Sequence, residues 1–451
     1  MVVGMGRCES IKSQQIRSKF ILILIKLYLL VTIPLTRRAS VINTRAMDTE
    51  PPSQQPLLFT PITLRGVTAK NRIVASPMCQ YHSVDGSPGD WQLVHLGRMA
   101  VGGAGIVFGE ETAVEAIGRK TYACAGFYHD TQIAEYRRIT DFIRAQDCVP
   151  AIQIGHSGRK ASCHTAVHDW NPLTPADADA GLPPWQGMAP SAINAENRYF
   201  APKEMDRDDI RRVLDAFRDC ALRSIDAGYD ICEVHGAHGY LIHAFLSPVS
   251  NRRTDAYGGD RQGRMRFALE VAEVVRDVWP DDKPVFYRIS CVDGLGGAWS
   301  LSDSVVLARA LKDRDIDLVD CSSGGIVGES DMPLVPRVPG YQVGFAERIR
   351  RDAQVPTIAV GLITDAHQAE AILQDGKADL IALARELLWH ADWPAHAARE
   401  LGIADPHGLM PHEYAFRLRQ REAAKEMPIN QGGAETREAI RRHLDPNSAT
   451  S

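Results

Sequence analysis

From about residue 57 the chain alternates short apolar runs with longer segments in which apolar residues recur every three or four positions. The runs lie at 72–76, 105–109, 149–154, 230–234, 285–290, 318–321, 357–360 and 380–383, and their lengths predict strands. Between them, Ile210, Val213, Leu214, Phe217, Ala221 and Ile225 share one face of a helix predicted over 208–227. Phe267, Val271, Val274, Val275 and Val278 repeat that spacing over 265–279, and 302–314 is a third such segment. Strands that are apolar throughout and alternate with helices imply a parallel sheet. Eight βα units predict an α/β chain folded as a (β/α)8 TIM barrel, with an N-terminal hairpin cap and loop insertions. A doubly wound sheet is the competitor, and it would open on a GxGxxG loop after its first strand. Here Pro77-Met78-Cys79-Gln80-Tyr81 follows the first run, which disfavours it.

The segment before the barrel is of another kind. Residues 1–46 carry eight basic residues and one acid, so the extension is +7 and the remaining 405 residues are −12 within a net charge of −5. A body that acidic excludes nucleic acid as a partner on electrostatic grounds. Residues 20–35 form an apolar run interrupted by Lys26 and flanked by basic residues. Sixteen residues are fewer than the about 20 that a membrane span needs. Two readings stand: a leader that directs the protein to a membrane or organelle, or a start at Met47 that makes 1–46 dispensable. Residues 47–56 then form a linker, 57–405 the barrel, and 406–451 a partly disordered tail. The nine cysteines contain no CxxC pair, which speaks for reduced thiols, against a structural zinc, and for a cytoplasmic protein if the leader is absent.

A barrel does its chemistry at the C-terminal ends of its strands. Those ends are polar here: SPMCQY (76–81), QIGHSGRKA (153–161), EVHGAHGYL (233–241), YRIS (287–290), SSGG (322–325), VGLI (360–363) and ALAREL (382–387). His235 and His238 stand three apart in a glycine-rich turn. Zinc would need further ligands at a recognisable spacing, and none is present. Neutral imidazoles that hydrogen-bond a carbonyl fit better, with loop capping as the plain alternative. Tyr240, two residues on, adds a phenol able to deliver a proton. Arg288 ends an apolar strand, so it meets either an anion or a neighbouring carboxylate. Gly361 and Arg385 close adjacent strands at the position where barrels hold phosphate.

At these residues the chain resembles the old yellow enzyme family of FMN-dependent ene-reductases, over about 57–400. The segments that carry the likeness are LFTPITLRGVTAKNRIVASPMCQY (58–81), QLVHLGRMAVGGAGIVF (92–108) and HGAHGYLIHAFLSPVSNRRTDAYGG (235–259). Cys79 after Pro-Met resembles the thermophilic-like, bacterial-type branch. The likeness implies FMN as cofactor and NADPH or NADH as reductant. It assigns cofactor contacts to Ser76, Pro77, Met78, Cys79, Glu111, Gln153, Arg288, Gly361, Ala384 and Arg385. The implied substrate is a small enone or enal, with His235 and His238 on its carbonyl, Tyr240 as proton donor and Tyr81 lining the pocket. Arg288 would face the atoms where charge develops on flavin reduction, and Cys79 would tune the ring.

Some positions depart from the family pattern. Glu111 stands where alanine is usual; a carboxylate beside the flavin would lower its potential, whereas one in solvent or paired with arginine would not. Ala384 replaces glycine before the phosphate-binding arginine, which requires an ordinary backbone angle. Gly263 replaces an asparagine in YGGDRQGR (257–264). In HEYAFRLRQR (412–421), Phe416 falls where relatives place an arginine donated to a partner subunit's pocket. A homodimer or homotetramer is implied by the family, but not a shared pocket. Relatives that add an iron–sulfur cluster are excluded, because no cysteine follows residue 400. The competing class is a flavin-binding barrel with little turnover that serves as a binding or regulatory module.

Overall fold

A computed structural model describes residues 55–195, 199–294, 297–326, 335–427 and 433–444. The leader at 1–46, nearly all of the linker and the last residues of the tail lie outside the described residues.

The chain opens with a hairpin, β1 (Ile62–Leu64) against β2 (Val67–Ala69), antiparallel. Eight parallel strands then close into a barrel. In chain order they are β3 (Ile73–Ala75), β4 (Ile106–Ala113), β5 (Val149–Gly155), β8 (Ile231–Gly236), β9 (Val285–Ser290), β10 (Leu318–Ser322), β11 (Thr357–Val360) and β12 (Leu380–Leu383). A short parallel pair, β6 (Met188–Ala189) and β7 (Lys203–Glu204), sits in the long insertion after β5. Each strand pairs with its chain neighbour in the barrel, and β12 closes on β3. The TIM barrel is therefore as the periodicity predicts, and the expected N-terminal hairpin is present. Three strands match the predicted bounds and the others shift by one or two residues, except β4.

The helices follow the strands: α1 (Asp90–Val101), α2 (Ile133–Arg144), α3 (Arg207–Asp226), α4 (Leu241–Leu246), α5 (Arg261–Arg276), α6 (Leu301–Lys312), α7 (Val343–Ala353), α8 (Ala366–Gln374), α9 (Arg385–Trp389) and α10 (Trp393–Glu400). Their limits have local causes. The Asp206 side chain accepts from the backbone N–H groups of Asp208 and Asp209 and starts α3. That helix buries Ile210, Val213, Phe217 and Ala221 against the barrel, the face foreseen from the spacing. Asp260 caps α5 by accepting from Gly263 N. A Cβ at Gly263 would meet Gly258 O at 2.1 Å, so this cap leaves no room for asparagine. Beyond the barrel lie α11 (His412–Glu426) and α12 (Ala434–Leu444), so the polar sequence there forms helix over these spans.

Inside the barrel, residues two apart on a strand face the same way. The lower layers hold Val74, Ile106, Phe108, Ala151, Ile231, Phe286, Leu318, Ile358 and Leu380, with Ile62, Leu64 and Val67 of the hairpin packed beneath. Two residues higher on four of these strands stand Gln153, Glu233, Arg288 and Asp320, all buried. Register aligns Gln153 with Glu233 and Arg288 with Asp320. The barrel thus changes from hydrocarbon to buried charge within one layer.

β4 departs most from expectation, running on to Ala113. Phe108 pairs with Ala151 and Glu111 with Gln153, so β4 spends three residues where β5 spends two. This bulge turns Glu111 onto the inward face that alternation would have given to Glu110.

Candidate active site

The polar layer opens into the C-terminal mouth. Gln153 Nε2 donates to Glu233 Oε1 at 2.7 Å. Arg288 Nε lies 3.1 Å from Asp320 Oδ2, but without an aligned hydrogen bond. Arg288 thus pairs with a carboxylate, and it also lines a cavity of about 420 Å³. Burial, aided by the other acid, raises Glu233 above its ordinary range, and burial likewise raises Asp320. Neither acid was foreseen. The signal was available, since Glu233 lies two before His235 and Asp320 two before Ser322, on the same strand face.

The turn after β8 is held from several sides. His238 adopts φ +60° and Gly239 φ +72°. A Cβ on Gly239 would fall 2.0 Å from Gly325 O, and one on Gly325 would fall 2.2 Å from the His238 carbonyl carbon. The loops after β8 and β10 therefore meet backbone against backbone, which only glycines permit. Lys160 Nζ donates to both His238 O (2.8 Å) and Gly325 O (2.5 Å). Gly239 N donates to His243 Nδ1, and His243 Nε2 meets Asp293 Oδ1 at 2.9 Å. Lys160, His243 and Asp293 hold the turn, and period and spacing do not mark them.

On this turn His238 Nδ1 faces His235 Nε2 at 3.3 Å, and His238 Nε2 faces Ser322 Oγ at 2.7 Å. His235 keeps Nδ1 buried and unpartnered. Burial, then the Arg288 charge, holds both imidazoles well below their ordinary pKa, so both are neutral. The Tyr240 ring stands 5.2 Å from that of His235, edge to face. Burial pushes the Tyr240 phenol well up, so it keeps its proton. Tyr81, at φ +58°, accepts from Trp170 Nε1 at 3.1 Å, and burial raises it too.

The segment after β3 completes this side. Ser76 N donates to Leu383 O at 2.9 Å, continuing the barrel by one residue, while its buried Oγ has no partner. Pro77 and Met78 are half-buried, and Met78 packs on the core. Glu110 accepts from Gln80 N (2.8 Å) and from Gln92 Nε2 (3.0 Å) and so fastens this segment to α1. Cys79 is a half-buried thiol, raised well above its ordinary pKa by burial first and by Cys124, Glu111 and Glu110 after it. It is no thiolate at neutral pH.

On the far side, Gly361 (φ +123°) and Leu362 (φ +52°) turn the chain after β11. Arg385 lines the same cavity and has no ion-pair partner among the described residues. Ala384 has φ −113°, outside the left-handed region that demands glycine.

The mouth therefore offers an unpaired arginine at one end. In its depth lie buried polar atoms without protein partners: Ser76 Oγ, Glu111 Oε1, Glu233 Oε2, His235 Nδ1 and Asp320 Oδ1. Buried polar groups are nearly always satisfied. A planar, hydrogen-bonding ligand that ends in phosphate fits that donor and acceptor set.

A profile of the NADH:flavin oxidoreductase / NADH oxidase family matches residues 57–403. The chain belongs to this family. The NADPH dehydrogenase of Geobacillus sp. (strain WCH70) is 44% identical over 349 residues, covering 77% of this chain and 95% of that protein. The NADPH dehydrogenase of Bacillus subtilis (strain 168) is 39% identical over 351 residues, covering 77% and 96%. Among solved structures, morphinone reductase superposes with a TM-score of 0.64 at 26% identity, over 77% of this chain and 90% of that one. The chain is thus an FMN-type flavoprotein oxidoreductase with a nicotinamide reductant, and the resemblance first seen in three motifs extends across the barrel. Among the described residues no helix is long and apolar enough to cross a membrane.

Proposed function

We propose that the protein reduces the activated C=C bond of α,β-unsaturated carbonyl compounds, using NADPH or NADH. The observation that carries this reading is Tyr240, a phenol kept protonated by burial, set beside the neutral and partly unpartnered His235. When bound, FMN would supply hydride transfer from the nicotinamide to the β-carbon.

The protein's part is binding, polarisation and proton delivery. Arg385 and the loop at Gly361 would hold the phosphate, and Gln153 the pyrimidine edge. Arg288 would oppose the negative charge that reduction brings, at a position where Asp320 already fixes its direction. Ser76, Pro77, Met78 and Cys79 would form the wall beside the ring, with Cys79 as a neutral thiol. His235 would donate to the substrate carbonyl through its open nitrogen. His238 would exchange its 3.3 Å contact with His235 for that carbonyl and keep Ser322. Electron density drawn toward oxygen leaves the β-carbon electrophilic; once hydride has added there the α-carbon is basic, and Tyr240 Oη would protonate it. Tyr81 would line the opposite wall.

The nicotinamide and a small enone or enal would take turns in one mouth, giving ping-pong kinetics. Phe416 is half-exposed on α11, so we expect the pocket to need no arginine from a partner subunit at that position, whether the protein is a dimer or a tetramer. Free thiols such as Cys79, Cys220 and Cys232 favour a reducing, cytoplasmic setting. The test is spectral. The purified protein should be yellow, bleach with NADPH without oxygen, and regain colour on adding cyclohexenone. A yellow protein that NADPH does not bleach would leave only the binding-module reading.

A further inference from the structure

The roles assigned above leave Glu111 without a task. Glu111 is 4% exposed, and its Oε1 has no hydrogen-bond partner. The β4 bulge turns it inward beside Gln153. A Cβ on Gly155 would lie 2.5 Å from Glu111 Oε1 and 3.1 Å from His235 Cβ, so the carboxyl lies over that glycine, next to the histidine. It neither reaches solvent nor meets an arginine, the two ways a carboxylate could have been harmless there.

The groups that face it come from every neighbouring element. Glu110 is on its own strand and Cys79 follows β3. Lys120 and Cys124 come from the loop after β4, with Lys120 Nζ held 4.3 Å from the Trp170 ring centre. Tyr81 lies across the mouth, His235 and Tyr240 lie at the end of β8, and Cys220 lies behind on α3. Apart from Lys120 these groups are acids or neutral, so little favours ionisation. Burial, then Glu110, moves the Glu111 carboxyl from 4.5 up to about 8.

We propose that Glu111 is a proton-holding residue of the flavin pocket: a neutral carboxylic acid at pH 7 that donates a hydrogen bond toward the cofactor and, in alkaline solution, regains its proton when the cofactor is reduced. This rests on the FMN reading above. The balance is simple. The nicotinamide or an electrode supplies the electrons. Solvent supplies the proton, one O–H bond forms on the carboxyl, and oxidation reverses both. A reduced flavin repels a carboxylate, so reduction and protonation of Glu111 favour one another. The expected alanine-to-glutamate effect thus changes: the potential is not lowered at neutral pH, only in alkaline solution.

The experiment measures the potential of the bound flavin in the holoenzyme by spectroelectrochemistry from pH 6 to pH 10, in wild type, Glu111→Gln and Glu111→Asp. Wild type and Glu111→Gln should coincide below pH 7. From about pH 8 upward, wild type should fall more steeply, by one extra proton per two electrons. Glu111→Asp should bend as wild type does. Glu233 also titrates high but is common to all three, so it cancels in the differences. If Glu111→Gln retains no flavin, Glu111→Ala should give the same divergence above a constant offset. Parallel lines in flavin-loaded proteins would overturn the role of Glu111 alone, while wild-type protein that takes up no FMN overturns the reading beneath it.

Discussion

The two halves of the barrel interior are built on opposite terms. Below, Phe286, Leu318, Ile231 and the hairpin fill the bore with hydrocarbon. Above, two residues further along the same strands, Arg288, Asp320 and Glu233 sit in equal burial, with polar atoms left unpaired. The lower half stabilises the fold and asks nothing of a ligand. The upper half is costly by itself, because buried charge without full pairing is unfavourable. That cost is reasonable only if something else completes the pairing. The contrast teaches that the site is legible as a deficit, and not only as a set of motifs.

Substitutions on each side should separate the two. The largest effect is expected above: Tyr240→Phe should slow enone reduction about 10²–10⁴-fold, the usual range for a lost proton donor, while reduction of the flavin by NADPH stays near wild type. Stopped-flow measurement of the two half-reactions checks it, and equal slowing of both would remove Tyr240 from the proton step. Below, Phe286→Ala should cost about 3–5 kcal/mol in denaturant unfolding, with the flavin potential unmoved. A shifted potential would mean that the two halves are not independent.

A smaller effect concerns pH. Glu233 has its folded pKa above 4.5, so between pH 4.5 and that raised value the folded protein binds more protons than the unfolded chain. Its contribution therefore falls as pH rises through that window. Glu233→Gln should flatten the decline of apoprotein stability above pH 5 by at least about 1 kcal/mol, one shifted pKa unit being worth about 1.4 kcal/mol, read from urea midpoints at pH 5 and pH 8. An unchanged decline would assign it to other acids. The smallest effect is Ala384→Gly, which should change FMN affinity by less than about threefold, since φ −113° suits either residue. A large gain on fluorescence titration would show that the methyl obstructs the phosphate.

The barrel was legible because its strands are buried on both faces and its helices amphipathic, so two periods alternate along the chain. His235, His238 and Tyr240 were legible because polar residues at the end of an apolar strand stand out, Arg288 because it is a lone cation in an apolar strand, and Gln153 through the family resemblance. Glu233 and Asp320 escaped because each lies within a strand, where one acid looks like an interruption; counting by twos from His235 and Ser322 would have found them. Glu110 and the inward turn of Glu111 could not be read that way, because a bulge breaks the count. Lys160, His243 and Asp293 act from loops and helices whose positions depend on the whole fold.

The bulge in β4 has one more consequence. By inserting a residue between Phe108 and Glu111, it hands two consecutive acids to two unrelated duties. Glu110 is a clasp, fastened to Gln80 and Gln92. Glu111 is free of that mechanical service. Position 111 can therefore be exchanged as a dial on the cofactor without loosening the wall of the pocket, whereas position 110 cannot.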